Sequence, residues 1–77
     1  MVTVRVFVRL KPSLLDPAGR TVSETLGKLG YEEVHSVRIG KLIELELDRY
    51  DPDRVKAMCE SLLANPVIED YTFEPVP

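Results

Sequence analysis

Residues 2–10 read Val2-Thr3-Val4-Arg5-Val6-Phe7-Val8-Arg9-Leu10, with an aliphatic residue at every even position. Period-two alternation rich in β-branched residues predicts a strand with one face in a core. If the valines point inward, Arg5, Phe7 and Arg9 stand on the opposite face. Lys11 to Gly19 follows with Pro12, Ser13, Asp16 and Pro17, the chemistry of a loop that leads into a helix. Ala18, Val22, Leu26 and Leu29 then recur at helical spacing, while Glu24 and Lys28 form an i,i+4 pair outside the stripe. Gly30 stops this helix, because glycine takes the left-handed conformation without steric cost.

Strand character returns between Val34 and Asp48. Val37 and Ile39 share one parity and Ile43, Leu45 and Leu47 are read as another register beyond an interruption, with Gly40-Lys41 predicted as the hairpin turn or bulge between them. Asp51-Pro52 marks a helix start, a carboxylate cap followed by a residue whose missing N–H costs nothing there. Val55, Met58 and Leu62, with Leu63 or Ala64, continue an apolar stripe that Asn65-Pro66 ends. Val67 to Phe73 alternates as a last strand, and the tail Glu74-Pro75-Val76-Pro77 is expected to fray. The order β-α-β-β-α-β over a single domain, residues 1–77, predicts an α+β fold of the ferredoxin-like kind. That fold is a four-stranded antiparallel sheet with two helices on one face. The other face is left open, with Arg5, Phe7 and Arg9 beside Leu42, Glu44 and Glu46. An aromatic on a bare sheet face makes Arg5, Phe7 and Arg9 the candidates for self-association.

Length and composition narrow the function. A chain of 77 residues is one small domain without room for the cleft of a self-sufficient enzyme. Area scaling predicts burial of about 7,900 Å² out of roughly 12,600 Å², close to the break-even point of folding, which again favours self-association. Ten Lys and Arg against thirteen Asp and Glu leave a net charge of −3, a poor basis for binding nucleic acid. An RNA-recognition module would also need several aromatic residues on its central strands, and only Phe7 is offered. The single cysteine, Cys59, excludes an internal disulfide or a cysteine metal cluster. Apolar runs are too short for a membrane span or an export signal, so a cytoplasmic location is expected.

No catalytic constellation emerges. Cys59 sits beside Met58 and Leu62 on a helix, the setting of a buried thiol rather than a nucleophile. His35 is the only histidine, and no nucleophile–base pair follows from it. Glu44 and Glu46 alternate as one solvated sheet face, and Arg38-Ile39-Gly40-Lys41 lacks the following helix of a phosphate loop. No cofactor or metal site is expected in this chain. Small size and open surface point instead to binding partners, with two cations at a projecting turn, Arg38 and Lys41 around Gly40, suited to a partner's carboxylates. Asp16, Pro17 and Gly19 form a second docking candidate, although capping and turn geometry account for them nearly as well. A regulatory module that binds a small metabolite between paired ferredoxin-like domains is the alternative.

Three stretches resemble the small PurS-type subunit of phosphoribosylformylglycinamidine synthase. They are Leu15-Asp16-Pro17-Ala18-Gly19 with Val22 and Leu26; Val37-Arg38-Ile39-Gly40-Lys41 with Glu44 and Leu45; and Met58-Cys59-Glu60 followed by Leu62 through Tyr71. Together they span about Val4 to Tyr71, with departures such as Ser13, where the family often has glycine. The resemblance implies a subunit of an ATP-dependent glutamine amidotransferase ligase with no catalytic residues of its own. In that family a glutaminase subunit releases ammonia, and a synthetase subunit uses ATP and magnesium to make the amidine. The small subunit, similar in fold to a terminal domain of single-chain versions, bridges the two and assists ammonia transfer. Partners implied are thus the synthetase, the glutaminase and further copies of the chain, as dimer or tetramer.

Overall fold

The computed structural model describes residues 1–77. The chain runs β1 (Val2–Leu10), α1 (Pro17–Lys28), β2 (Gly40–Leu47), α2 (Pro52–Met58) and β3 (Glu69–Val76), with a π turn at Cys59–Leu63 continuing α2. The sheet has three strands in the order β2-β1-β3. Both pairings are antiparallel, and β1 lies in the middle. Val4, Val6 and Val8 are at most 2% exposed and pack against Val55, Cys59 and Ala64. Arg5, Phe7 and Arg9 point away from this core, as the alternation requires.

The expected four-stranded sheet does not form. Val34 to Ile39 makes no strand, and Gly40-Lys41 is no hairpin; Gly40 instead begins a single uninterrupted β2, paired opposite Arg9. Gly30 alone among the glycines has positive φ, 99°, so Gly40 lacks the backbone that a tight hairpin turn demands. Its role is close approach. A Cβ there would lie 2.3 Å from the Val8 carbonyl oxygen. The amide of Ile39 is bound by a side chain rather than by a ladder, donating to Asp16 Oδ2 at 2.8 Å. Parity held the warning, since Val37, Ile39, Ile43, Leu45 and Leu47 all occupy odd positions, as one continuous strand would place them.

The tail also departs from expectation. Val76 pairs with Thr3 and Pro75 with Val4, so β3 runs to Val76. Proline is tolerated because β3 is an edge strand, where an N–H can be missing from the outer side.

The helices are unequal. Asp51 caps α2 by accepting from the Asp53 amide at 3.1 Å, and Val55 and Cys59, four residues apart, face the sheet. The π turn, closed by Ala64 N–H donating to the Cys59 carbonyl, brings Leu63 and Ala64 to the core and leaves Leu62 83% exposed. By contrast, α1 adds nothing to the core cluster. Its stripe is formed as expected, but Val22 and Leu29 are exposed and Leu26 only half-buried. The prediction of two helices covering one face therefore fails for α1. The chain measures 47 × 28 × 14 Å, and its radius of gyration of 15.6 Å exceeds the roughly 11.5 Å of a compact chain this long. No helix is long and apolar enough to cross a membrane.

What holds α1 is its first turn. Asp16 Oδ1 accepts from Gly19 N–H at 2.9 Å while Oδ2 holds Ile39, and Pro17 occupies the first turn. Gly19 is buried; a Cβ there would stand 2.3 Å from the Val37 carbonyl oxygen. Gly19→Ala should therefore destabilise the chain by about 1–3 kcal/mol in urea unfolding at fixed chain concentration. Gly27→Ala, with nothing within 4 Å of the added carbon, should stabilise it by about 0.5–1 kcal/mol. The two backbone donors, the Ile39 amide first and the Gly19 amide next, with Arg38 nearby, hold the Asp16 carboxyl below its ordinary value of 3.8. A carboxyl more acidic in the folded than the unfolded chain stabilises fully above about pH 4 and loses that contribution as pH falls through the lower folded value. The stability gap between the native chain and Asp16→Ala should thus be constant near neutrality and narrow below pH ~4, which denaturation across that range will test.

Candidate functional site

The end of β1 organises the polar surface. Arg9 lies directly opposite Gly40 on one side and Asp70 on the other. Directly paired residues share a sheet face, so Arg9, Asp70 and the bare Gly40 backbone lie together on the face away from the core. Two residues back, Phe7 stands between Leu42 and Thr72 on the same face and is 43% exposed. Where position 40 has no side chain, the surface sinks into a cleft of about 520 Å³ lined by Phe7, Arg9, Gly40, Asp70 and Thr72 and by Arg38.

Arg38 reaches the cleft through the Asp16 contact. With Ile39 tied to Asp16, the Arg38 guanidinium donates to the Leu10 carbonyl at the end of β1. Lys41, opposite Val8, belongs by register to the core-side face, where its Nζ lies 4.0 Å from Glu69 Oε2. The other oxygen of Glu69 accepts from the Asn65 amide at 2.7 Å, which anchors the turn before β3. Residues from the three stretches singled out in the sequence thus gather at one end of the sheet. Asp16 belongs to the first, Arg38, Ile39, Gly40 and Lys41 to the second, and Glu69 and Asp70 to the third.

The ion pairs of the chain are Arg5–Glu44 at 3.2 Å, Arg20–Glu24 at 3.1 Å and Lys41–Glu69. Arg9 and Arg38 take part in none of them. Arg9 and Arg38 against the one carboxylate of Asp70 line this cleft in a chain of net charge −3, so the local charge is opposite in sign to that of the whole molecule.

The docking candidates divide accordingly. Arg38, Gly40 and Lys41 meet at the cleft, together with Phe7 and Arg9 from the self-association set. Arg5 is separate, engaged by Glu44 across the strands. Asp16, Pro17 and Gly19 do not line the cleft and act as the joint that holds α1 and Ile39 together. Asp70 and Thr72 were missed as site residues, because placing them requires the β1–β3 register; only their alternation with Tyr71 and Phe73 hinted at a shared outer face.

Elsewhere the chemistry is subdued. Cys59 is fully buried; burial first, and the nearby Glu60 carboxylate second, push its thiol above the ordinary value of 9.0, away from the reactive thiolate. His35 is exposed in the segment before β2 and lines a shallower hollow with Leu15, Arg20 and Glu24. The cysteine in the core and the histidine on this outer loop form no catalytic pair.

The family model of PurS, phosphoribosylformylglycinamidine (FGAM) synthase, matches residues 3–77. The PurS subunit of phosphoribosylformylglycinamidine synthase from Bacillus subtilis is 52% identical over 77 residues, covering 96% of this chain and 92% of that one. A crystal structure of B. subtilis PurS superposes with a TM-score of 0.89 at 50% identity over 100% of both chains. PurS of Methanocaldococcus jannaschii, described as one of the subunits of formylglycinamide ribonucleotide amidotransferase in the purine biosynthetic pathway, gives 0.87 at 35% identity, over 99% and 96% of the two chains. A chain in the structure of PurLQS from Thermotoga maritima gives 0.85 at 30% identity, over 97% and 96%. With nearly every residue inside the family model and the same backbone path in these proteins, the chain belongs to the PurS family, a subunit of phosphoribosylformylglycinamidine synthase in purine biosynthesis.

Proposed function

We propose that this chain is a non-catalytic, cytoplasmic bridge that joins the glutaminase and synthetase subunits of its amidotransferase and assists the passage of ammonia between them. The observation that carries this reading is the likeness to a chain of the PurLQS assembly, in a molecule whose one thiol is sealed in its core. ATP and magnesium are used by the synthetase subunit. Ammonia that escapes into neutral water is protonated and ceases to be a nucleophile. A spacer that keeps two active sites in one closed assembly raises turnover by preserving proximity and excluding water, without touching the reacting atoms. Lys41, on the other face of the sheet and 4.0 Å from Glu69 Oε2, suits a partner's carboxylate.

Self-association belongs to the same reading, and the occupant of the uncovered apolar surface is a second copy of this chain. The solvent-accessible area is 5853 Å², roughly 1,100 Å² above the compact value for this mass. Two copies burying that excess would hide about 2,200 Å², within the range of obligate homodimers. The α1 stripe of Val22, Leu26 and Leu29 and the half-covered Ile43, Leu45 and Leu47 of β2 supply the apolar area. The open face of Arg5, Phe7 and Arg9 offers less, since Arg5 is already paired.

Purified alone, the chain should show neither glutaminase nor ligase activity, and adding it to the two partner subunits should restore glutamine-dependent amidine formation. Equal activity with the chain left out would contradict the bridge. Leu29→Glu places a charge on the exposed end of the α1 stripe and should weaken self-association about tenfold or more, read by light scattering after size-exclusion chromatography. An unaltered oligomer would place the contact elsewhere.

A further inference from the structure

The cleft beside Arg9 has a chemistry that bridging does not require. Arg9 and Asp70 are direct cross-strand neighbours on one face, yet they make no ion pair, so the guanidinium and the carboxylate both retain free hydrogen-bonding capacity. Arg38 is pinned by the Leu10 carbonyl, which leaves its remaining N–H groups preorganised at little entropic cost. Phe7 exposes an aromatic surface about 6.8 Å further along the strand, a span that a sugar and its phosphate can bridge. Thr72 adds a hydroxyl beside it.

A bare anion would use the two guanidinium groups but would be repelled by Asp70. A neutral sugar would use Asp70 and Thr72 but leave both cations idle. A ligand with an anionic end and hydroxyl donors uses all of them. The volume of about 520 Å³ lies in the range of small-molecule sites.

We propose that this cleft binds a phosphorylated sugar, with the phosphate held by Arg9 and Arg38, the sugar hydroxyls donating to Asp70, and the sugar ring lying against Phe7. The site goes beyond the bridging role and does not depend on it. Gly40 is its floor, because any side chain there would fill the depression and meet the Val8 carbonyl.

Titration of the ¹⁵N-labelled 77-residue chain with ribose 5-phosphate, ribose and inorganic phosphate, followed by amide NMR, tests the assignment. Ribose 5-phosphate should give saturable shifts centred on Phe7, Arg9, Gly40 and Asp70, about tenfold tighter than inorganic phosphate, and ribose should give none. The Arg9 side chain makes no ion pair within the chain, so Arg9→Gln should keep the circular dichroism spectrum and weaken ribose 5-phosphate about tenfold. Asp70→Asn should weaken ribose 5-phosphate while leaving inorganic phosphate as tight or tighter. The proposal is overturned by an absence of saturable shifts, by inorganic phosphate binding equally well, or by an unchanged affinity in Arg9→Gln. It is also overturned if an acidic peptide displaces ribose 5-phosphate at lower concentration, which would make the cleft a protein-docking surface. Reconstitution of the three-subunit activity with the native chain tests the bridge whatever these titrations give, so the two readings fail separately.

Discussion

The structure depends on β1 being the strand with neighbours on both sides. Its valines meet the whole of the small core, its outward residues form the opposite surface, and both other strands take their register from it. Because one-residue slippage would exchange Val4, Val6 and Val8 for Arg5, Phe7 and Arg9, the register on each side is strongly specified. Everything placed by register inherits that precision. Arg9 faces Asp70 and Gly40 for the same reason that Val8 faces Tyr71 and Lys41.

Long-range polar contacts then attach what the core does not hold. The carboxylate of Asp16 serves two amides, one within its own helix and one in the segment before β2. Through Ile39 it sets the position of Arg38, which closes on the end of β1. An N-cap by itself is a local device; here the second oxygen converts it into a tertiary joint. Gly19 and Gly40 complete the arrangement by letting backbone carbonyls approach where a Cβ could not fit. The cleft is thus a product of missing side chains and shared hydrogen bonds more than of any single binding residue.

A molecule with so few buried residues, and with one helix standing away from the sheet, is built to be completed by other chains. The exposed apolar side chains of α1 and the unpaired Arg9 and Arg38 at the end of the sheet lie in different regions of the molecule. The same shape leaves no polar or charged residue buried, because a sheet with one helix laid across it encloses little volume.

Local pattern was enough for β1, for both helix starts and for the face that Arg5, Phe7 and Arg9 occupy, because alternation, spacing and capping depend only on neighbours along the chain. The three stretches that carry the family resemblance were equally readable as residues, though not as one place. The missing fourth strand, the pairing of Pro75 and Val76 and the isolation of α1 belong to tertiary structure. Each turns on competition among partners far apart in sequence: Ile39 bonds Asp16 instead of a ladder, the tail finds the free edge of β1, and the α1 stripe has no surface within its own chain to cover. Asp70 joined Arg9 by the same logic, since cross-strand neighbours are set by register. A linear sequence displays side-chain period, but only the folded sheet decides which groups meet across it.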